Sequence, residues 1–199
     1  MELLKEYLVF FKSFSIFARI LGNAFNHLNN HYLKFNYESI STYSIALKIF
    51  KEIVVENTSA KVVSSLSEMI NLIREEKEDN FKFVREIINI FITAGIEKDL
   101  KLIKENRFET KWKGVKNLKV YTKFFEDNFH QGSTEYYAIK YTSLCENLDF
   151  SDFVKLSVEI FEKEKILCKK FLEQISIDKI KNSIIQAIQK NKTVTNIIK

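Results

Sequence analysis

The sequence predicts an all-α protein, because it combines a long helical pattern, very few helix breakers and weak strand signals. The chain has 199 residues, of which none is proline and four are glycine; these two residue types most often interrupt helices. Residues 4–32 repeat apolar side chains at intervals of three or four, which places them on one face of a helix. β-Branched runs such as 53–55 are too short to outweigh this pattern.

The first helix is predicted to run from Leu4 to about residue 33. Its apolar face is the line Leu4, Tyr7, Phe11, Phe14, Ala18, Leu21, Phe25, Leu28 and Tyr32. A second line, spaced by sevens, consists of Leu3, Phe10, Phe17 and Ala24. Together the lines are wider than a two-stranded coiled coil needs, and aromatic residues suit its core poorly. We therefore expect a helix inside a bundle, with a free coiled coil as the weaker alternative.

Three shorter helices are predicted before residue 96, over 40–55, about 60–76 and 81–93. A break at residues 56–59 would separate the first two, with Asn57, Thr58 and Ser59 as candidate N-caps. Glu75–Asp79 is predicted to be a charged turn. Gly95 is predicted to close the last of the three as a left-handed C-cap.

A basic stretch over residues 97–117 has the weakest pattern in the chain and is expected to hold at most a helical turn. Beyond it, helices are predicted over 118–148 and after the candidate N-caps Ser151 and Asp178. A bend is expected near Gly132.

The net charge of +5 is concentrated in two segments. Lys98–Lys119 holds eight basic and three acidic residues, and Lys179–Lys199 holds five lysines and no acid. A solvated loop and a frayed tail explain them best. The alternative is a basic helical module that binds nucleic acid through Lys98–Lys119 and the C-terminal lysines, with Phe108 and Trp112 stacking on bases.

The sequence offers no constellation for catalysis, a cofactor or a metal, so we expect a protein that is not an enzyme. His27 and His31 have a spacing that can hold a metal, but no supporting carboxylate follows. Cys145 and Cys168 are expected to be free, buried thiols. Without a signal peptide or a membrane-spanning run, the expected location is intracellular, in the cytoplasm, the nucleus or both.

Five segments, in order and spacing, resemble one known family. They are Leu4–Tyr7 of the aromatic helix, its Leu-Asn-Asn-His-Tyr ending at 28–32, the Tyr-Ser-Ile-Ala-Leu run at 43–47, the helix at 70–76 and the Tyr-x-x-x-Phe-Glu helix opening at 118–126. The pattern is similar to the N-terminal helical region of cullins. It covers nearly the whole chain.

The resemblance implies an α-solenoid of stacked cullin-type helical repeats with a long N-terminal helix. Residues 1–56 would form the latter part of a first repeat and residues 57–199 a second. The implied role is a non-catalytic scaffold fragment of a ubiquitin-ligase complex, acting in ubiquitin-dependent protein degradation. The implied partners are a Skp-like, BTB or elongin-type adaptor, and a separate C-terminal cullin fragment or RING subunit.

The same resemblance places the Tyr43 helix on the side that faces the adaptor, so Ile40, Tyr43 and Lys48 are the expected adaptor contacts. The alternative is that Tyr43 and Leu47 belong to the core, because Tyr43 lies on the apolar stripe of its own helix. The chain is also expected to be truncated at both ends relative to cullins. Apolar side chains would then be exposed near the termini: Leu3, Phe10, Phe17, Ile184, Ile188, Ile197 and Ile198.

Overall fold

The computed structural model describes residues 1–25, 27, 42–95, 101–106, 109–113 and 118–190. Helices account for most of these residues. The α-helices are α1 (Glu2–Ala24), α2 (Thr42–Phe50), α3 (Glu56–Arg74), α4 (Phe81–Ala94), α5 (Lys119–Tyr121), α6 (Asp127–Asn147), α7 (Phe150–Phe171) and α8 (Gln174–Lys190). Two π-helical turns, Lys51–Val55 and Thr122–Glu126, connect α2 to α3 and α5 to α6.

The chain divides into two compact units, each with its own buried side chains. The first unit comprises Met1–Ser65 and Glu86–Phe125, and the second comprises Leu66–Arg85 and Glu126–Lys199. Buried residues of the first unit include Leu4, Leu47, Phe50, Ile87, Phe91 and Tyr121. Those of the second include Ile70, Phe129, Tyr137, Tyr141, Phe171 and Ile184. The predicted repeat boundary between residues 56 and 57 stays a prediction.

Helix α1 confirms the predicted stripe but is shorter than expected. Leu4, Tyr7 and Ala18 are buried on one face. The helix ends at Ala24, because Phe25 leaves helical geometry with φ −91° and ψ 13°. One continuous helix from Leu4 to residue 33 is therefore wrong, and the expected segment over 28–33 lies outside the described residues.

The predicted break at residues 56–59 is wrong, because the chain is helical without interruption from Thr42 to Arg74. A π-helical turn over Lys51–Val55 stands in place of the break. The side chains of Asn57 and Thr58 donate to the carbonyl oxygens of Ile53 and Val54, at 2.7 and 2.8 Å. Both side chains therefore bond backward within the helix instead of capping a new one.

The charged turn after α3 is confirmed, and its geometry is a Schellman motif. The Lys77 N–H bonds the Leu72 carbonyl and the Glu76 N–H bonds the Ile73 carbonyl, both at 3.0 Å. Glu76 has a φ of 58°, the left-handed conformation that glycine adopts most easily. The motif thus ends α3 with a residue that is strained at this position.

The basic stretch forms a β-hairpin where at most a helical turn was expected. Strand β1 (Lys101–Asn106) pairs antiparallel with strand β2 (Glu109–Lys113), with Leu102 opposite Trp112. An irregularity lies between Lys104 and Asn106. The expected helical turn is therefore wrong for the residues that the two strands cover.

Three predicted helix ends also need correction. Asp149, not Ser151, caps α7, since its carboxylate accepts from the Asp152 N–H at 3.0 Å. Asp178 lies inside α8, which begins at Gln174. No described glycine has a positive φ, so Gly95 ends α4 without the expected left-handed cap, its N–H bonding the Ile92 carbonyl at 3.2 Å. The bend expected near Gly132 is replaced by a continuous α6.

Candidate protein interface

Helices α1 and α2 pack as an antiparallel pair in the first unit. Ala18, near the end of α1, clusters with Tyr43 and Leu47 from the start of α2. Further back along α1, three phenylalanines surround Phe50 at the end of α2. The two helices therefore run in opposite directions.

Phe50 is the centre of this packing. It is 2 % exposed, and ring-centroid distances of 6.2, 5.2 and 4.7 Å separate it from Phe10, Phe11 and Phe14. Aromatic pairs in this range contribute roughly 0.5–1.5 kcal/mol each beyond the area that they bury. Phe10 is only half covered by this contact, since 52 % of it remains exposed.

One side of the α1–α2 pair is open and apolar. Leu3, Phe10 and Phe17 lie on α1 about 60–100° from Ala18, which faces α2, at 100° of rotation per residue. Ile49 and Ile53 lie on the matching side of α2 and the first π-helical turn. On the opposite side, Leu8 and Ser44 are buried. The exposed set, at 41–64 % exposure, is Leu3, Phe10, Phe17, Ile49 and Ile53; we call it the α1–α2 groove.

The three residues predicted to contact an adaptor differ in what the structure shows of them. Tyr43 is 8 % exposed, so the expected exposure of this side chain is wrong and the alternative of a core residue is correct. Burial raises the pKa of its hydroxyl, an effect that the nearby Arg19 guanidinium opposes. Lys48 is exposed as expected. Ile40 lies outside the described residues, and adaptor contact itself stays a prediction.

Part of the groove was foreseen and part was missed. The exposure of Leu3, Phe10 and Phe17 is confirmed. Ile184, for which exposure was expected, is buried; Ile188 is half-buried, and Ile197 and Ile198 lie outside the described residues. Ile49 and Ile53 were not singled out, although both lie four residues from another apolar residue and off the buried stripe of Leu47 and Phe50.

The second unit holds a buried ion pair. Arg74 Nη2 donates to Glu164 Oε1 at 2.7 Å, and the two side chains are 4 % and 2 % exposed. The Arg74 guanidinium also donates to Ser133 Oγ and Asn71 Oδ1, each at 2.8 Å. The guanidinium carbon of Arg74, Cζ, lies 5.1–5.4 Å from the ring centroids of Phe129, Tyr136 and Tyr137.

Electrostatics within this cluster favour both charges. Burial alone would raise the pKa of Glu164, but the Arg74 guanidinium, with hydrogen bonds from Tyr137 and Cys168, lowers it overall. Burial alone would lower the pKa of Arg74, but Glu164 raises it overall. Burial also raises the pKa of the Cys168 thiol, whose sulfur donates to Glu164 at 3.3 Å. The buried thiol therefore favours its neutral form, and the cluster links α3, α6 and α7.

A second polar cluster ties α8 to the start of α6. The Glu126 carboxylate is 1 % exposed and accepts from Ser176 Oγ and Lys179 Nζ. One turn later, His130 Nδ1 lies 3.1 Å from Ser183 Oγ. Burial lowers the pKa of His130, and Lys179 adds to this effect, while Glu126 opposes it. These contacts are structural, since they face the packed seam between two helices.

Among the residues that the structure describes, no group of acidic, cysteine or histidine side chains could hold a metal. His27 is exposed, and His31 lies outside the described residues. Cys168 is buried and Cys145 half-buried, and both are free thiols. In the same part of the chain, no helix is long and apolar enough to cross a bilayer.

Within each unit, helices pack on one another through buried apolar faces, which defines the class of protein as all-α. Sequence comparison gives the particular family. Residues 1–198 match the family described as Cullin: Cullin alpha solenoid domain. The chain therefore belongs to the cullin family, and the predicted all-α solenoid class is confirmed, with the β1–β2 hairpin as an addition.

Cullin-1 of Caenorhabditis elegans is a similar protein. It is 24 % identical over 151 residues, which are 73 % of this chain and 19 % of that protein. The chain thus spans about a fifth of the length of the curated relative that it matches.

Proposed function

We propose that this chain is a non-catalytic scaffold component of a ubiquitin-ligase complex. It would bind an adaptor of the Skp-like, BTB or elongin type and act in ubiquitin-dependent protein degradation inside the cell. The observation that carries the proposal is the cullin-family match over residues 1–198. A scaffold of this kind raises the effective concentration of a bound substrate receptor near the transfer machinery.

The proposed adaptor contact is the exposed side of α2. Lys48 and Ile45 are exposed there, and Ile40 precedes the helix in the sequence. Tyr43 would support this contact from below, as a buried residue that fixes α2 against Ala18. A RING subunit or a separate cullin C-terminal fragment would complete the assembly.

Affinity purification of the tagged chain from its own cells, with mass spectrometry of the partners, tests the proposal. The expected result is an adaptor of one of the three types, with its recovery reduced by the double variant Ile45→Asp/Lys48→Glu. The matched control is Ile139→Asp, since Ile139 is 75 % exposed in the second unit. Recovery of neither adaptor nor RING subunit would contradict the scaffold role.

The same purification addresses the nucleic-acid alternative, in which Lys98–Lys119 and the C-terminal lysines bind. Such binding weakens steeply as salt rises, because it releases counterions. Recovered nucleic acid that is lost between 50 and 200 mM salt, without any adaptor, would favour this alternative.

A further inference from the structure

We draw no further inference here: the strongest candidate, the α1–α2 groove, carries none because nothing in the part of the chain that the structure describes shows what covers this apolar face.

Discussion

Removing the Arg74 guanidinium should destabilise the protein severely, because it leaves Glu164 charged and buried. In Arg74→Met the carboxylate keeps only the hydrogen bonds from Tyr137 and Cys168. Breaking a buried pair on one side costs about 3–5 kcal/mol, against a total of about 5–15 kcal/mol for a typical domain. The variant should therefore lose a large part of its free energy of unfolding.

The pH dependence of that loss gives a sharper test than its size. In the wild type the pKa of Glu164 is below its unfolded value, so its stabilisation is complete above the unfolded pKa and is lost only as pH falls through the lower folded pKa. In Arg74→Met, burial without the guanidinium should raise that pKa above the unfolded value. The destabilisation caused by the buried Glu164 charge is then present at pH 7. It decreases as pH falls, because the carboxylate takes up a proton.

Urea unfolding followed by far-ultraviolet circular dichroism, at pH 7 and pH 5, measures both effects. The difference between wild type and Arg74→Met should be smaller at pH 5. Arg85→Met is the matched control: Arg85 is exposed and donates to the Lys170 carbonyl at 3.1 Å, so its loss should cost below about 1 kcal/mol at both pH values. The double variant Arg74→Met/Glu164→Leu should recover most of the loss. A loss under 1 kcal/mol for Arg74→Met, or one that grows at pH 5, would refute the reasoning.

Four further predictions follow from the local geometry. Glu76→Gly should raise the free energy of unfolding by about 1 kcal/mol, because it relieves a left-handed residue; a decrease in the urea midpoint would contradict this. Asp149→Ala should cost about 1 kcal/mol by loss of the α7 cap, while Ser151→Ala should be nearly neutral, and equal losses in urea unfolding would remove the cap assignment. The pKa of His130 is lowered, so wild-type stability should fall as pH drops through about 6.5, and His130→Asn should flatten that slope in the same assay. Deletion of Glu52 should preserve the helical spectrum and change stability by less than about 1 kcal/mol, whereas insertion of one alanine after Glu52 should unfold the first unit.

The sequence predicted most helices and their buried faces, because burial repeats with helical period in the residues themselves. The stripe of Leu4, Tyr7 and Ala18 and the charged turn ending at Asp79 are examples of this success. The α1–α2 groove could not be predicted from periodicity in the same way, because the exposure of an apolar helix face depends on whether a neighbouring helix covers it. Leu3, Phe10 and Phe17 are as apolar as the buried residues Leu4, Tyr7 and Ala18 beside them. Periodicity alone therefore could not distinguish the exposed face from the buried face.

The polar clusters were beyond sequence reasoning for a related reason. Arg74 and Glu164 are ninety residues apart, and each sits in a run of charged residues that resembles a solvated helix face. Only the packing of α3 against α6 and α7 removes this pair from water. The aromatic residues of α6 gave an indirect signal, since Phe129, Tyr136 and Tyr137 present the rings over which the guanidinium lies.

The helix from Thr42 to Arg74 was predicted to be broken because Asn57, Thr58 and Ser59 are candidate N-caps, but the buried stripe also changes register just before them. Buried positions in this helix recur every three or four residues, except for a step of five from Phe50 to Val55. In a regular α-helix one extra residue turns the following stripe by 100°, which in the sequence is the same pattern as the start of a new helix. The π-helical turn accommodates that residue, so the stripes of α2 and α3 face the same core. Deleting Glu52 would restore a regular spacing without rotating either stripe, and this is why the deletion should be tolerated where an insertion is not.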